Sequence, residues 1–208
     1  NFLRTKIKCK NFIDIVSDLH IDHWNKFLVP KYPCGITKHF PLKWTKSDSD
    51  LLIVAGDVSD NIDLSIKYLN NLSTYYKKIL FIDGNHEHIL GYPNLYNYNH
   101  ISSKIKNNKI HYLPDLPFIV NDTAFIGYCG WWDYNNGNKY SIQNNTENYF
   151  KDWIPGLSIQ QSSLFCKKTI RRADKESEQI FKYLYKFDKD ESIKNIIIIT
   201  HTLPSKII

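Results

Sequence analysis

Short apolar runs, each closed by small and polar residues, punctuate the sequence. Phe12-Ile13-Asp14-Ile15-Val16 runs into Ser17-Asp18-Leu19-His20, and Leu51-Leu52-Ile53-Val54-Ala55 into Gly56-Asp57. Ile79-Leu80-Phe81-Ile82 leads through Asp83 into Gly84-Asn85-His86-Glu87, and Ile196 to Ile199 leads through Thr200 into His201. Each run has the length of a buried strand, and three are nearly uniform in aliphatic or β-branched residues, as strands covered on both faces are. Between the second and third runs, Ile62, Ile66, Leu69, Leu72 and Tyr76 recur at steps of three and four and predict an amphipathic helix. A longer stripe of Cys166, Ile170, Ala173, Ile180, Leu184 and Phe187 predicts another before the fourth run. Strands alternating with helices argue for an α/β architecture with largely parallel central strands. Ile110 to Leu113, Phe118 to Val120 and Ala124 to Tyr128 succeed one another closely and predict an antiparallel or mixed section, the start of a second sheet.

The polar residues that close the runs carry the chemistry. Groups just past strand C-termini gather at one edge of an open α/β sheet, where ligands bind. Asp18, His20, Asp57, Asn85, His86 and His201 are therefore predicted to share one site. Taken singly, each fits a turn or a helix cap. Four strand ends that all offer oxygen or imidazole ligands are harder to explain that way. On an extended segment, Asp18 and His20 would point to the same side and grip one cation together. A glycine before Asp57 and before Asn85 permits sharp turns and close backbone approach. Carboxylate, imidazole and amide oxygen suit Mn, Fe, Zn or Ni better than a thiolate-loving ion. With Asp57 bridging, two divalent ions would fit, a pair able to clamp an in-line displacement at phosphorus.

Composition narrows the setting. Of 208 residues, 42% are hydrophobic and 23% charged, which is globular rather than disordered. No apolar run reaches membrane-spanning length, and residues 1–10 carry no long apolar secretory stretch. Cys9, Cys34, Cys129 and Cys166 are scattered without a close pair, which excludes a compact cysteine-rich zinc site and suggests reduced thiols in a cytoplasmic protein. The net charge of +6 fits an anionic substrate, although a lysine-rich solvated surface explains it equally well. The sequence contains no methionine, so a processed or trimmed chain is expected.

Asp18-x-His20, Gly56-Asp57-x-x-Asp60, Gly84-Asn85-His86-Glu87 and Thr200-His201 resemble, in order, the first four motif blocks of the calcineurin-like metallophosphoesterases. The resemblance extends from about Asn11 to Ser205, and Ile110-His111-Tyr112-Leu113 with Gly130-Trp131-Trp132-Asp133 resembles a strand and Trp-containing loop of small members. It implies an αββα sandwich of two mixed β-sheets flanked by helices. It also implies a phosphoric ester hydrolase in which Asp18 and His20 hold one metal, Asn85 and His201 a second, and Asp57 bridges. His86 would stand over the substrate phosphate, stabilise the transition state and donate a proton to the leaving group, with Asp60 orienting its ring. A metal-bridging hydroxide would attack phosphorus without a covalent enzyme intermediate. The substrate implied is a phosphorylated small molecule or nucleotide, as monoester or diester; nucleic acid is not indicated by any clustered basic stripe. The protein phosphatases' Arg-Gly is missing after the second block, where the sequence reads Gly-Asp-Val-Ser-Asp-Asn-Ile. The family's later Gly-His-x-His block does not occur either, so residues 1–208 are expected to form a single metallophosphoesterase domain lacking its C-terminal portion. The alternative is a weakly active or inactive scaffold of the same fold that binds proteins, but such relatives usually lose the imidazole that His86 retains.

Residues beside the motifs carry weaker signals. His23 and Trp132 are taken as substrate-side contacts, and Asp22 as their neighbour only. His88 is expected to support the site from behind or to be exposed, Asp83 to satisfy a turn, and Glu87 to cap backbone groups. Trp131, Trp132 and Asp133 suit a pocket wall or a packed core equally. Tyr92, Tyr96 and Tyr98 read as a solvated connecting loop rather than a base-stacking platform.

Overall fold

A computed structural model describes residues 4–5, 13–23, 48–144 and 158–202. Phe12, Trp24, Cys9 and Cys34 lie outside the described residues, as do residues 1–3 and 203–208. Eight strands are described: β1 (Arg4–Thr5), β2 (Ile13–Val16), β3 (Leu51–Ala55), β4 (Lys78–Ile82), β5 (Ile110–Tyr112), β6 (Phe118–Val120), β7 (Thr123–Tyr128) and β8 (Asn195–Thr200). They form two sheets, ordered β2-β3-β4-β5 and β1-β6-β7-β8. The first is parallel in every described pairing. The second is mixed, because β6 and β7 form an antiparallel hairpin while β1 and β8 pair in parallel on either side. Ile110–Tyr112 thus belongs to the parallel sheet, and only the next two runs open the second one.

The helices are α1 (Ile62–Leu72), α2 (Tyr98–Lys104), the short α3 (Tyr134–Gly137) and α4 (Lys139–Asn144), and the long α5 (Ile159–Asp188). Asn61 caps α1 by accepting from the backbone N–H of Asp63, and Ser158 with Gln161 forms a capping box on α5. Tyr76 lies past the end of α1, yet it is buried and its hydroxyl donates to Asp14 at 2.7 Å. The apolar stripe of α1 packs with Leu52, Val54, Ile79 and Phe81 on one face of the parallel sheet. The opposite face, Leu51, Ile53, Leu80 and Ile82, meets Phe118, Val120, Phe125 and Ile199 of the mixed sheet. The outer face of the mixed sheet, Ile119, Ala124, Ile126 and Tyr128, packs against Ile180, Leu184 and Phe187 of α5. Helix, sheet, sheet and helix therefore stack around a central apolar layer, the αββα sandwich with helices on both outsides.

Candidate metal centre

The C-terminal ends of β2, β3 and β4 carry Asp18 with His20, Asp57, and Asn85 with His86; the end of β8 carries His201. The expectation of a single sheet edge is corrected here, because β8 belongs to the mixed sheet. The site spans the edges of two facing sheets. His201 N–H donates to Cys129 O at 3.1 Å beside β7, and its ring ties the mixed sheet to the parallel one, with Nδ1 meeting Ala55 O at 2.8 Å.

The Asp18-x-His20 segment is not extended. Asp18, His20 and Asp57 adopt φ of 54°, 41° and 55°, left-handed conformations uncommon for residues with a Cβ. They are held there by Asp18 N–H on Gly56 O at 3.2 Å, His20 N–H on Asp57 O at 3.0 Å and Ile21 N–H on Val58 O at 2.9 Å. Asp18, His20 and Asp57 still offer ligand atoms within 4.8 Å of one another. A Cβ on Gly84 would stand 2.1 Å from Asp57 Oδ1, so only glycine lets the third block pass so close to the second.

A fully buried carboxylate fixes that approach. Glu87 accepts from the backbone N–H of Asp57 (2.9 Å), Val58 (2.7 Å) and Gly84 (2.8 Å), and from Ser65 Oγ (3.0 Å). The capping role expected of Glu87 is what the geometry displays, and it reaches across two motif blocks. Burial and the nearby charge of Asp57 push its pKa up to about 7 against the pull of those amides.

The donor set fits cations. His201 Nδ1–H points at Ala55 O, so a neutral ring turns the lone pair of Nε2 toward Asp57 Oδ2 and Asn85 Oδ1, each at 3.1 Å. Two oxygens and a ring nitrogen that face one another with their electron pairs call for a positive charge between them. Without an ion a proton meets that need: burial alone would lower the pKa of His201, but the hydrogen bond and charge of Asp57 raise it to about 9. His20 Nε2 lies 3.7 Å from Asp57 Oδ2 and 3.9 Å from Asp18 Oδ1, a second gathering of donors around the same carboxylate.

Above Asp57 sit three imidazoles in ring contact: His20 with His86 edge to face at 4.5 Å, and His20 stacked on His23 at 4.9 Å. Asp60 joins two of them, with Oδ1 on His86 Nδ1 at 2.7 Å and Oδ2 on His23 Nε2 at 3.0 Å. Burial opposes ionisation of Asp60, but the bonds to His86 and His23 win and take its pKa to about 2. Burial likewise pulls His86 down, and its bond to Asp60 with the charge of Asp57 more than restores it, for a net rise. Asp22 supports the arrangement by accepting from Asp60 N–H at 3.0 Å.

Several neighbours are placed differently from the sequence reading. His88 is fully buried; Nε2 contacts Asp83 at 2.7 Å and Nδ1 accepts from Tyr96 N–H at 2.9 Å. Asp83 is not a turn residue either, since it also accepts from the Tyr112 hydroxyl inside the core. Tyr92, Tyr96 and Tyr98 pack inward: Tyr92 lies edge to face on Phe165, Tyr96 stacks on His100, and Tyr98 donates to Glu176 at 2.8 Å. Trp131 is core, against His88 and Phe165, while Trp132 is 38% exposed and set edge-on against Trp131. Glu176 and Arg172 of α5 were missed. Glu176 accepts from the N–H of Gly130 (2.8 Å) and Trp131 (3.3 Å), and Arg172 lies over the Tyr98 ring and donates to Tyr96 O. Glu176 stands on the apolar stripe between Ala173 and Ile180, and a carboxylate there was the available signal.

Comparison with known proteins agrees with this geometry. The chain is 24% identical over 195 residues to the uncharacterized protein L509 of Acanthamoeba polyphaga mimivirus, covering 91% of this chain and 66% of that relative. No solved structure matches it. No described helix is long and apolar enough to cross a membrane. The family model for calcineurin-like phosphoesterases matches residues 13–205, from the strand that precedes Asp18 past His201, and the chain belongs to that family.

Proposed function

We propose that this protein hydrolyses phosphomonoesters or phosphodiesters of small molecules or nucleotides at a centre of two divalent ions, as one domain over the described residues. The observation that carries the reading is His201 Nε2 set 3.1 Å from both Asp57 Oδ2 and Asn85 Oδ1, beside a second group of Asp18, His20 and Asp57. Asp18 and His20 would hold one ion, Asn85 and His201 the other, and Asp57 both; Mn, Fe, Zn and Ni all suit such ligands, with Mn the choice for assay. Bound there, the ions supply Lewis-acid chemistry that acidifies water and neutralises phosphate charge.

The chain's own groups do the rest. Glu87 and Gly84 keep the two ligand-bearing loops in contact. His86 Nε2 lies 3.9 Å from Asp57 Oδ2, near enough to donate to a phosphoryl oxygen resting on the centre and to stabilise its charge as bonds change. Asp60 fixes the ring that makes that donation. His23 and Trp132 would stand on the substrate side, and the substrate would be a cytoplasmic one.

The test is turnover of p-nitrophenyl phosphate and bis(p-nitrophenyl) phosphate with added Mn. His86→Ala should lower kcat about 10²-fold or more with metal content retained. Failure of both esters with every divalent ion would refute the hydrolase and favour a binding scaffold of the same fold.

A further inference from the structure

Asp60 offers its carboxylate to two imidazoles, and the orienting of His86 uses only one of its oxygens. The second oxygen holds His23 Nε2 at 3.0 Å, which leaves His23 Nδ1 as the ring nitrogen able to meet a substrate oxygen. The turn that delivers His23 is itself fixed, with His23 N–H on His20 O at 2.9 Å. One carboxylate thus sets both rings relative to one another, with centroids 5.8 Å apart.

The two imidazoles differ in depth. Side-chain exposure rises from 4% at Asp57 and 7% at His201 through 15% at His86 and 24% at His20 to 38% at His23. In an in-line displacement the nucleophile and the leaving group occupy opposite sides of phosphorus. The nucleophile belongs to the floor at Asp57, so the leaving group departs toward solvent. His86, whose backbone N–H is bonded to Asp57 Oδ1 at 2.9 Å, is tied to that floor and flanks the transferring group. His23 has the outer position.

We propose that His23 donates to the leaving-group oxygen, while His86 serves the transferring phosphoryl group alone. The proposal rests on the phosphoesterase reading and divides a task that a single imidazole would otherwise share. In the step, water oxygen forms the new bond to phosphorus as the bond to the leaving oxygen breaks. The electron pair of the broken bond stays on the leaving oxygen, which takes the Nδ1 proton of a His23 ring protonated on both nitrogens and leaves Nε2–H on Asp60. The proton lost by water restores His23, so ester and water become alcohol and phosphate.

The experiment compares phenyl phosphate, whose leaving group needs a proton, with p-nitrophenyl phosphate, whose phenolate leaves without one. It uses wild type, His23→Ala and His23→Gln loaded with Mn, with bound metal counted and folding checked by thermal melting. For both variants kcat on phenyl phosphate should fall about 10²-fold, and on p-nitrophenyl phosphate no more than about threefold. Metal stoichiometry should not change. Equal losses on both esters, or recovery in His23→Gln, would make His23 a prop for Asp60 and overturn the assignment. Loss of a metal equivalent would make it a ligand and overturn it too. A wild-type protein that turns over neither ester defeats the hydrolase reading itself, whereas variants that lose nothing on phenyl phosphate defeat only the role of His23.

Discussion

Glu176→Gln should make this protein more stable at alkaline pH, although it removes a buried hydrogen-bonding charge. Glu176 is 2% exposed, and its pKa stands at about 7 against an ordinary 4.5. Desolvation is the main cause and the negative charge of Asp83 the next; the Tyr98 hydroxyl, Gly130 N–H and Arg172 pull the other way and lose. Between pH 4.5 and 7 the folded protein keeps a proton that the unfolded chain has released. Stability associated with Glu176 is therefore fully present below the lower value and lost as pH rises through the upper one. The difference between the two values amounts to roughly 3 kcal/mol once Glu176 is ionised. Glutamine has the same shape. Its carbonyl can take the Gly130 and Trp131 amides, and its NH2 can donate to Tyr98 once that hydroxyl rotates. Arg172 retains Asp83 and the Tyr98 ring. Urea unfolding at about pH 5 should find the two proteins within about 1 kcal/mol of each other. At about pH 8 the variant should lead by roughly 2–3 kcal/mol, or about 5–10 °C in Tm. A variant less stable than wild type at about pH 8, or a difference that does not change with pH, would refute the reasoning.

Adding Mn at about 100 times its Kd should stabilise wild type by about 2.7 kcal/mol, read as a Tm rise of roughly 5–10 °C that a chelator reverses. Asp57→Asn and His201→Ala should each lose most of that rise, because each removes an atom from the convergence at 3.1 Å. Glu87→Ala should cost several kcal/mol, since it strands the buried amides of Asp57, Val58 and Gly84 at about 1–3 kcal/mol each. Its soluble yield and urea midpoint should fall well below those of a Ser65→Ala control, which removes only one of the donors to that carboxylate.

The gathering of the candidate ligands was legible because they come directly after strands whose apolar content announces them. The four runs, α1 and α5 stand where the periodicity put them, and Glu87 caps backbone as expected. A second sheet was expected, but the membership of β5 and β8 was not legible: β3, β4 and β8 are alike in composition, and nothing within β8 says that it pairs with β7. The extended reading of Asp18 and His20 failed because pairing with the loop of Gly56 to Val58 imposes a left-handed backbone that no local signal encodes. Asp83 and His88 flank a turn motif, so they resembled its punctuation. Their burial depends on Tyr96 and Tyr112, and on Arg172 and Glu176 much farther along the chain. Long-range burial of polar groups leaves little local trace beyond a charge on an apolar stripe.

A centre divided between two sheets has a consequence for how it comes into being. The parallel sheet can pair its own strands and still offer only Asp18, His20, Asp57 and Asn85; His201 arrives when β8 docks through β7. If these residues hold the ions as proposed, tight metal binding would follow the closing of the sheets on one another. An ion held by residues of both sheets would then act as a clasp between them, and its release would loosen the packing between sheets before it loosened either one. The contact of His201 Nδ1 with Ala55 O, which joins the two sheets directly, would part as that clasp opened.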